Sequence, residues 1–280
     1  MKSRLLTALF ALPILILSIV LPYFLPQFPQ ASGLFVVIAA LAFVAGLFEF
    51  YTITKKLELK ADASIAYIGA SAFFVAFVFD APAKSPDLLI LTVVLFIIVV
   101  LATQMFRFQA DFSKMLTGVS VTVFGVFYVV FLGGFLVATR VGFDAILSTK
   151  LLLFFFIVNF GADAGAYFVG KRFGKHKLAP VISPGKTWEG LIGGVLFSAV
   201  LAALATFSFF PELAFRFSIP LAIVMAICGV TGDLAESAIK RGANIKDAAS
   251  ILPGHGGLLD RLDSLLFCAP ILYYFARFYF

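Results

Sequence analysis

Residues 151–158 read LLLFFFIV. Eight consecutive apolar side chains neither alternate as a half-buried strand does nor leave a polar helix face for water. The run widens into a stretch of helix length, 149–169, whose polar breaks include Asn159 and Asp163. Comparable runs recur along the 280 residues. Hydrophobic residues make up 62% of the chain, 36 of them phenylalanine, and the mean hydropathy is +1.09. A soluble core cannot hide so much apolar surface, so the chain reads as an integral membrane protein. A membrane barrel needs short alternating segments. Continuous runs of helix length point instead to an all-α, polytopic protein.

Nine spans are expected, at 5–24, 31–50, 63–79, 88–106, 118–138, 149–169, 188–209, 217–236 and 262–279. The first follows Lys2 and Arg4 but has no small-x-small cleavage site, and more spans follow it. It reads as a retained helix, with Pro13 and Pro22 kinking or ending it. With the amino terminus in the cytoplasm, all but five of the 21 basic residues (Lys84, Arg140, Lys150, Arg216 and Arg277) fall on the cytoplasmic side. That asymmetry obeys the positive-inside rule. It accounts for the net charge of +6 without a nucleic-acid partner. It also puts the charged loops 170–187 and 237–261 where a nucleotide is available. Residues 1–150, five helices with few motif-like polar groups, read as a membrane scaffold in contact with lipid. Residues 151–280, four helices with both charged loops, read as the catalytic region. Cys228 and Cys268 lie in apolar runs and read as buried thiols.

Charge is costly in a bilayer, so its concentration in SAIKRGANIKDAASILPGHGGLLDRLDS, residues 237–264, marks a working site. Asp233 and Glu236, three apart, share a face at the end of one span. Asp260 and Asp263 repeat that spacing at the start of the last. Carboxylates so close raise one another's pKa unless a cation intervenes. Magnesium takes hard oxygen ligands and leaves positions for water and phosphate. The functional reading is a magnesium site on Asp233 and Asp260. The plainer one is interfacial acids paired with Lys240, Arg241 or Arg261. Asp263 either ligates or holds Arg261. Lys240, Arg241 and Lys246 supply charge and a guanidinium fork for polyphosphate. Gly254, Gly256 and Gly257 let backbone approach a ligand, and amides at the start of the last helix are expected to meet a phosphate. His255 is a phosphate donor, a proton carrier or a loop residue; with two histidines in the chain, zinc is improbable.

The earlier block, NFGADAGAYFVGKRFGKHKLAPVISPGKTWEG at 159–190, contains GKT without the glycine spacing of a P-loop. Ser183 and Thr187 are expected to cap a helix or bond a nucleotide, and Lys186 to pair a phosphate. Glu189 closes a capping arrangement or orients Lys186. Trp188 reads as an interface anchor, and Gly190, Gly193 and Gly194 as close helix packing.

Together these blocks resemble the phosphatidate cytidylyltransferases, or CDP-diacylglycerol synthases. Their hallmark appears as Ser237, Lys240, Arg241, Lys246, Asp247, Pro253-Gly254-His255-Gly256-Gly257 and Asp260-Arg261-Leu262-Asp263. The match covers residues 159–264. It implies transfer of the cytidylyl group of CTP to phosphatidic acid, giving CDP-diacylglycerol and pyrophosphate. It implies magnesium, with potassium possible beside it, and a homodimer in a bacterial cell membrane. It implies catalytic roles for Asp233, Lys240, Lys246, Asp247 and Asp260, with Asp233, Asp260 and Asp263 toward metal. Asn159, Asp163, Ser183, Lys186, Thr187, Glu189, Ser237, Arg241, His255, Gly256 and Arg261 fall to substrate binding. The alternatives are a CTP-dependent lipid-alcohol kinase, which would want a general base for its hydroxyl acceptor, and a cation or phosphate transporter. A transporter would carry polar groups through the full membrane depth, and the first five spans offer little such lining.

Overall fold

The computed structural model describes residues 2–80, 87–109, 112–245 and 256–280. Helix α1 spans Lys2–Phe24, α2 Gly33–Lys56, α3 Ala63–Phe79 and α4 Asp87–Arg107. Helices α5, Met115–Val126, and α6, Leu132–Gly142, are joined end to end by a π-helical turn, Phe127–Phe131. Helix α7 is Ala145–Phe173, α8 Trp188–Ser208, α9 Phe215–Gly242 and α10 Leu259–Tyr279. Six of these segments are long and apolar enough to cross a bilayer: Gln30–Lys56, Asp87–Arg107, Phe112–Gly142, Ala145–Phe173, Trp188–Ser208 and Phe215–Gly242. Outward apolar side chains such as Leu41, Ile68, Phe207 and Phe278 suit lipid contact.

Two findings correct the sequence reading. The loop 170–187 is not all loop. Helix α7 runs on to Phe173, and strands β1, Lys177–Ala179, and β2, Ser183–Thr187, form an antiparallel hairpin. Lys177 Nζ donates to the Pro184 carbonyl at 2.8 Å, tying that hairpin across its turn. The second charged loop also begins later than expected, because α9 continues to Gly242 and carries Ser237, Lys240 and Arg241 on helix. Apolar character marks where lipid ends, not where backbone hydrogen bonding ends. Basic residues in a last turn favour continuation to the negative end of the helix dipole.

Short polar side chains start α3, α7 and α8. Asp62 accepts from Ile65 N, Asp144 from Ile146 N and Leu147 N, and Thr187 Oγ1 from Gly190 N. Two apolar clusters form the interior. One gathers Leu151, Phe155, Met225, Cys268 and Leu272, and the other Phe43, Phe50, Phe73, Phe96 and Val129. Helix α10 contributes to both, through Leu265 to the first and Leu266 to the second. Both cysteines are free thiols; Cys268 is buried and donates to the Met225 carbonyl.

The glycines of α8 do what their spacing suggests. A Cβ on Gly194 would lie 2.7 Å from the Ala162 carbonyl oxygen of α7, and one on Gly190 3.0 Å from that of Ala166. Backbone cannot retreat as a side chain can. Gly194→Val is therefore expected to cost about 1–3 kcal/mol of overpacking strain, read as a lower melting temperature in detergent. An unchanged melt would mean α7 and α8 are not held this close.

Candidate active site

The charged ends of α9 and α10 meet beside the hairpin. Their approach depends on Gly232, where a Cβ would lie 2.4 Å from the Asp263 carbonyl oxygen. This brings the two carboxylate pairs of the sequence to one place. Asp233 Oδ2 pairs with Lys186 Nζ at 2.8 Å, and Ser237 Oγ donates to Asp233 Oδ1 at 3.3 Å. Lys186 arrives from β2, so the hairpin delivers a cation to a helix it is not continuous with. Lys240 Nζ bridges Glu236 Oε2, at 2.5 Å, and Asp260 Oδ1. The plain alternative of acids paired to Lys240 is thus realised at Asp260. Glu236 is 1% exposed, and its Oε1 has no hydrogen-bond partner among the described residues.

Asp163 and Asp263 complete the cluster. Asp263 is 8% exposed, with Oδ1 accepting from Ser264 N at 2.6 Å. Both acids lie within electrostatic reach of Asp233 and Lys186, and Asp163 also of Arg261. Asn159 sits deeper on α7, buried, with Nδ2 donating to the Phe155 carbonyl at 2.7 Å. Arg241 Nε donates to the Ile182 carbonyl, fastening the end of α9 to the hairpin turn. Lys246, Asp247 and His255 lie outside the described residues.

While Lys186 Nζ pairs with Asp233, Glu189, in the first turn of α8, turns its carboxylate toward the hairpin. Its carboxylate accepts from Lys175 N and His176 N and meets His176 Nδ1 at 2.6 Å. Thr187 provides the cap, and Ser183 stands opposite Ala179 in the hairpin register. Glu189→Ala is expected to loosen the base of the hairpin and speed tryptic cleavage at Lys175 and Lys177. Cleavage at the parental rate would show that the hairpin holds without it.

The expectation of free amides at the start of α10 is also corrected. Gly256, at φ +80°, turns the chain into the helix in a conformation suited to glycine. The next amides are already taken. Gly257 N donates to Asp260 Oδ2 at 3.1 Å, Leu258 N to Glu49 Oε1 at 2.9 Å and Leu259 N to Glu49 Oε2 at 2.6 Å. Glu49, on α2, is fully buried. It was missed because its partners are some 210 residues away. An acid inside an apolar run was the available signal.

A cavity of about 1110 Å³ lies elsewhere, lined by Tyr51, Lys55, Lys60, Tyr67, Arg107 and Lys114 among others. Among the described residues it shares none with the carboxylate cluster, and Glu58 is the one acid lining it. Its cations are those of the expected cytoplasmic loops. Acids and lysines interlock instead at the α9–α10 site.

The sequence model of the cytidylyltransferase family matches residues 2–279. A phosphatidate cytidylyltransferase of Haemophilus influenzae is 45% identical over 129 residues, which cover 45% of each chain. One from Bacillus subtilis is 46% identical over 118 residues, 42% of this chain and 44% of that one. One from Staphylococcus haemolyticus is 46% identical over 121 residues, 43% and 46%. Each alignment spans less than half the length of the relative. With interlocked acids and lysines at the ends of two apolar helices, and a match running almost from end to end, the chain belongs to the cytidylyltransferase family.

Proposed function

We propose that the protein transfers the cytidylyl group of CTP to phosphatidic acid, releasing pyrophosphate and leaving CDP-diacylglycerol in the bilayer. The observation that carries this reading is the pair of lysine-carboxylate links, Lys186–Asp233 and Lys240–Glu236/Asp260, at the ends of two apolar helices. The names of the aligned relatives support the substrates.

The donor set suits magnesium. Asp163, Asp233, Glu236, Asp260 and Asp263 outnumber Lys186, Lys240 and Arg261, and all offer hard oxygens. Among the described residues no three acids, histidines or cysteines form a ready metal cage. That favours an ion completed by substrate phosphates and water. Asp233 and Asp260 would hold it, with Asp263 behind them and potassium possible alongside. When bound, it screens the two anionic substrates and polarises the phosphoryl group under attack.

A nonbridging oxygen of the lipid phosphate attacks the α-phosphorus of CTP. The new P–O bond forms as the bond to the α–β bridging oxygen breaks, and pyrophosphate carries the charge away. The lipid phosphate is already an anion at neutral pH, so no side-chain nucleophile or general base is required. Lys240, pinned between two carboxylates, and Lys186, on the hairpin, are positioned charges for the polyphosphate. Lys246 and Asp247 belong to the catalytic set of this reading, and Arg241, Arg261 and His255 to its substrate-binding set. The same proposal includes nine spans, a cytoplasmic amino terminus, a scaffold role for residues 1–150, a catalytic role for 151–280 and a homodimer in a bacterial inner membrane.

The test offers purified protein in liposomes CTP and magnesium with either phosphatidic acid or diacylglycerol. CDP-diacylglycerol should form from phosphatidic acid alone, detected by mass spectrometry, and stop on chelation. Phosphatidic acid appearing from diacylglycerol would favour the lipid kinase instead.

A further inference from the structure

One buried polar group beside the site has no assigned work. Tyr128 lies in the π-helical turn Phe127–Phe131, in the first half of the chain. Its side chain is 3% exposed, and its hydroxyl has no hydrogen-bond partner among the described residues. The ring is held on three sides. Phe124 stacks on it at 5.6 Å between centroids, Phe50 of α2 lies at 6.2 Å and Phe267 of α10 at 6.3 Å. Packing therefore fixes where the hydroxyl sits. Its electrostatic neighbours are the site's own acids: Asp263 foremost, then Glu236, Asp233 and Asp260. Yet it bonds to none of them.

Three physical facts converge on this residue. A buried hydroxyl without a partner is costly, and native folds seldom keep one without a use. A π-turn inside an α-helix breaks the regular ladder and concentrates at functional sites. Here the helices on either side of the turn are pressed against neighbours: a Cβ on Gly125 of α5 would lie 2.6 Å from Tyr51 Oη, and one on Gly134 of α6 2.2 Å from the Phe77 ring. Finally, a buried phenol whose electrostatic neighbours are carboxylates it does not bond is an unused donor beside the charges that an anion and its counter-cation would meet.

We propose that the Tyr128 hydroxyl is a substrate-binding group that donates to a phosphate oxygen of the lipid acceptor. This rests on the cytidylyltransferase reading above. The lipid phosphate, not the nucleotide, is assigned because of depth. Tyr128 lies midway along the apolar segment Phe112–Gly142, and its foremost acidic neighbour, Asp263, is buried. Asp233, at the more open edge, is 37% exposed at its side chain. CTP enters from water, whereas the lipid headgroup reaches the site from the bilayer.

Tyr128→Phe separates this role from a structural one. It keeps the three ring contacts and deletes only the unpaired hydroxyl, so the melting temperature should hold or rise. A lost hydrogen bond to a charged phosphate should raise the KM for phosphatidic acid about 10-fold or more, with the KM for CTP within about 2-fold. Titration of a short-chain phosphatidic acid into the CTP-free protein should show the same weakening without turnover. Unchanged phosphatidic acid affinity in a folded Phe variant, or a change confined to CTP, would overturn the proposal. If the parent protein makes no CDP-diacylglycerol, the enzymatic reading fails on its own. The binding titration still decides whether Tyr128 touches a lipid phosphate.

Discussion

Asp260→Asn should lower cytidylyl transfer about 10²–10³-fold, the scale of loss when one preorganised electrostatic group, such as a single oxyanion-hole donor, is removed from an active site. The substitution is nearly isosteric. Its amide oxygen can still accept from Gly257 N, so the turn into α10 is kept. What goes is the negative charge that holds Lys240 jointly with Glu236. Lys240 then swings to Glu236 alone, and one of the two proposed magnesium carboxylates becomes a weak neutral ligand. Melting temperature should fall moderately, because Lys240 and Asp260 are only 12% and 16% exposed and losing one partner of a largely buried pair is costly, while Glu236 remains to hold the lysine. A well-folded variant with parental activity would place the chemistry elsewhere in the chain.

Glu49→Ala should do comparable damage from the other half of the molecule. Leu258 N and Leu259 N would lose their acceptor in a site where water does not substitute for it. Orphaned buried amides cost about 1–3 kcal/mol each, so about 2–6 kcal/mol is expected for the pair. The loss also removes a negative charge from the positive end of the α10 dipole. Because Asp260 and Asp263 ride on the first turns of α10, fraying there spoils the site before the fold fails. Glu49→Gln keeps an acceptor and should fall between parent and Ala in both stability and activity. Hydrogen exchange at residues 257–262 is the specific readout. If exchange there stays at the parental rate in Glu49→Ala, Glu49 does not hold the helix.

The comparison of sequence with structure divides along a physical line. Apolar runs report helices directly, and the stretch expected at 63–79 coincides with helix α3 at both ends, although α3 is not among the six segments long enough to cross a bilayer. Motif spacing on a single helix was equally legible, because three residues along a helix fix a face. Asp233 with Glu236, and Asp260 with Asp263, needed no tertiary knowledge to pair. Partnerships between distant segments were not legible. Nothing local says that Lys186 reaches Asp233, or that Glu49 takes the amides expected to serve phosphate. The hairpin was hidden because SPGKT resembles a phosphate-binding loop and lacks the alternation of an ordinary strand. Tyr128 was hidden because a lone tyrosine in an apolar helix looks like core. Only an unpaired hydroxyl set among acids gives it away.

The central claim is that the α-phosphorus of CTP ends up on a lipid phosphate. The most direct measurement runs parallel reactions with α-labelled and γ-labelled CTP on the purified protein, with phosphatidic acid in liposomes, and counts label in the lipid phase. The account predicts α-label in lipid, γ-label released as pyrophosphate, and neither in lipid for Asp260→Asn. Label from the γ position entering lipid, or no nucleotide consumed by folded protein, would contradict it.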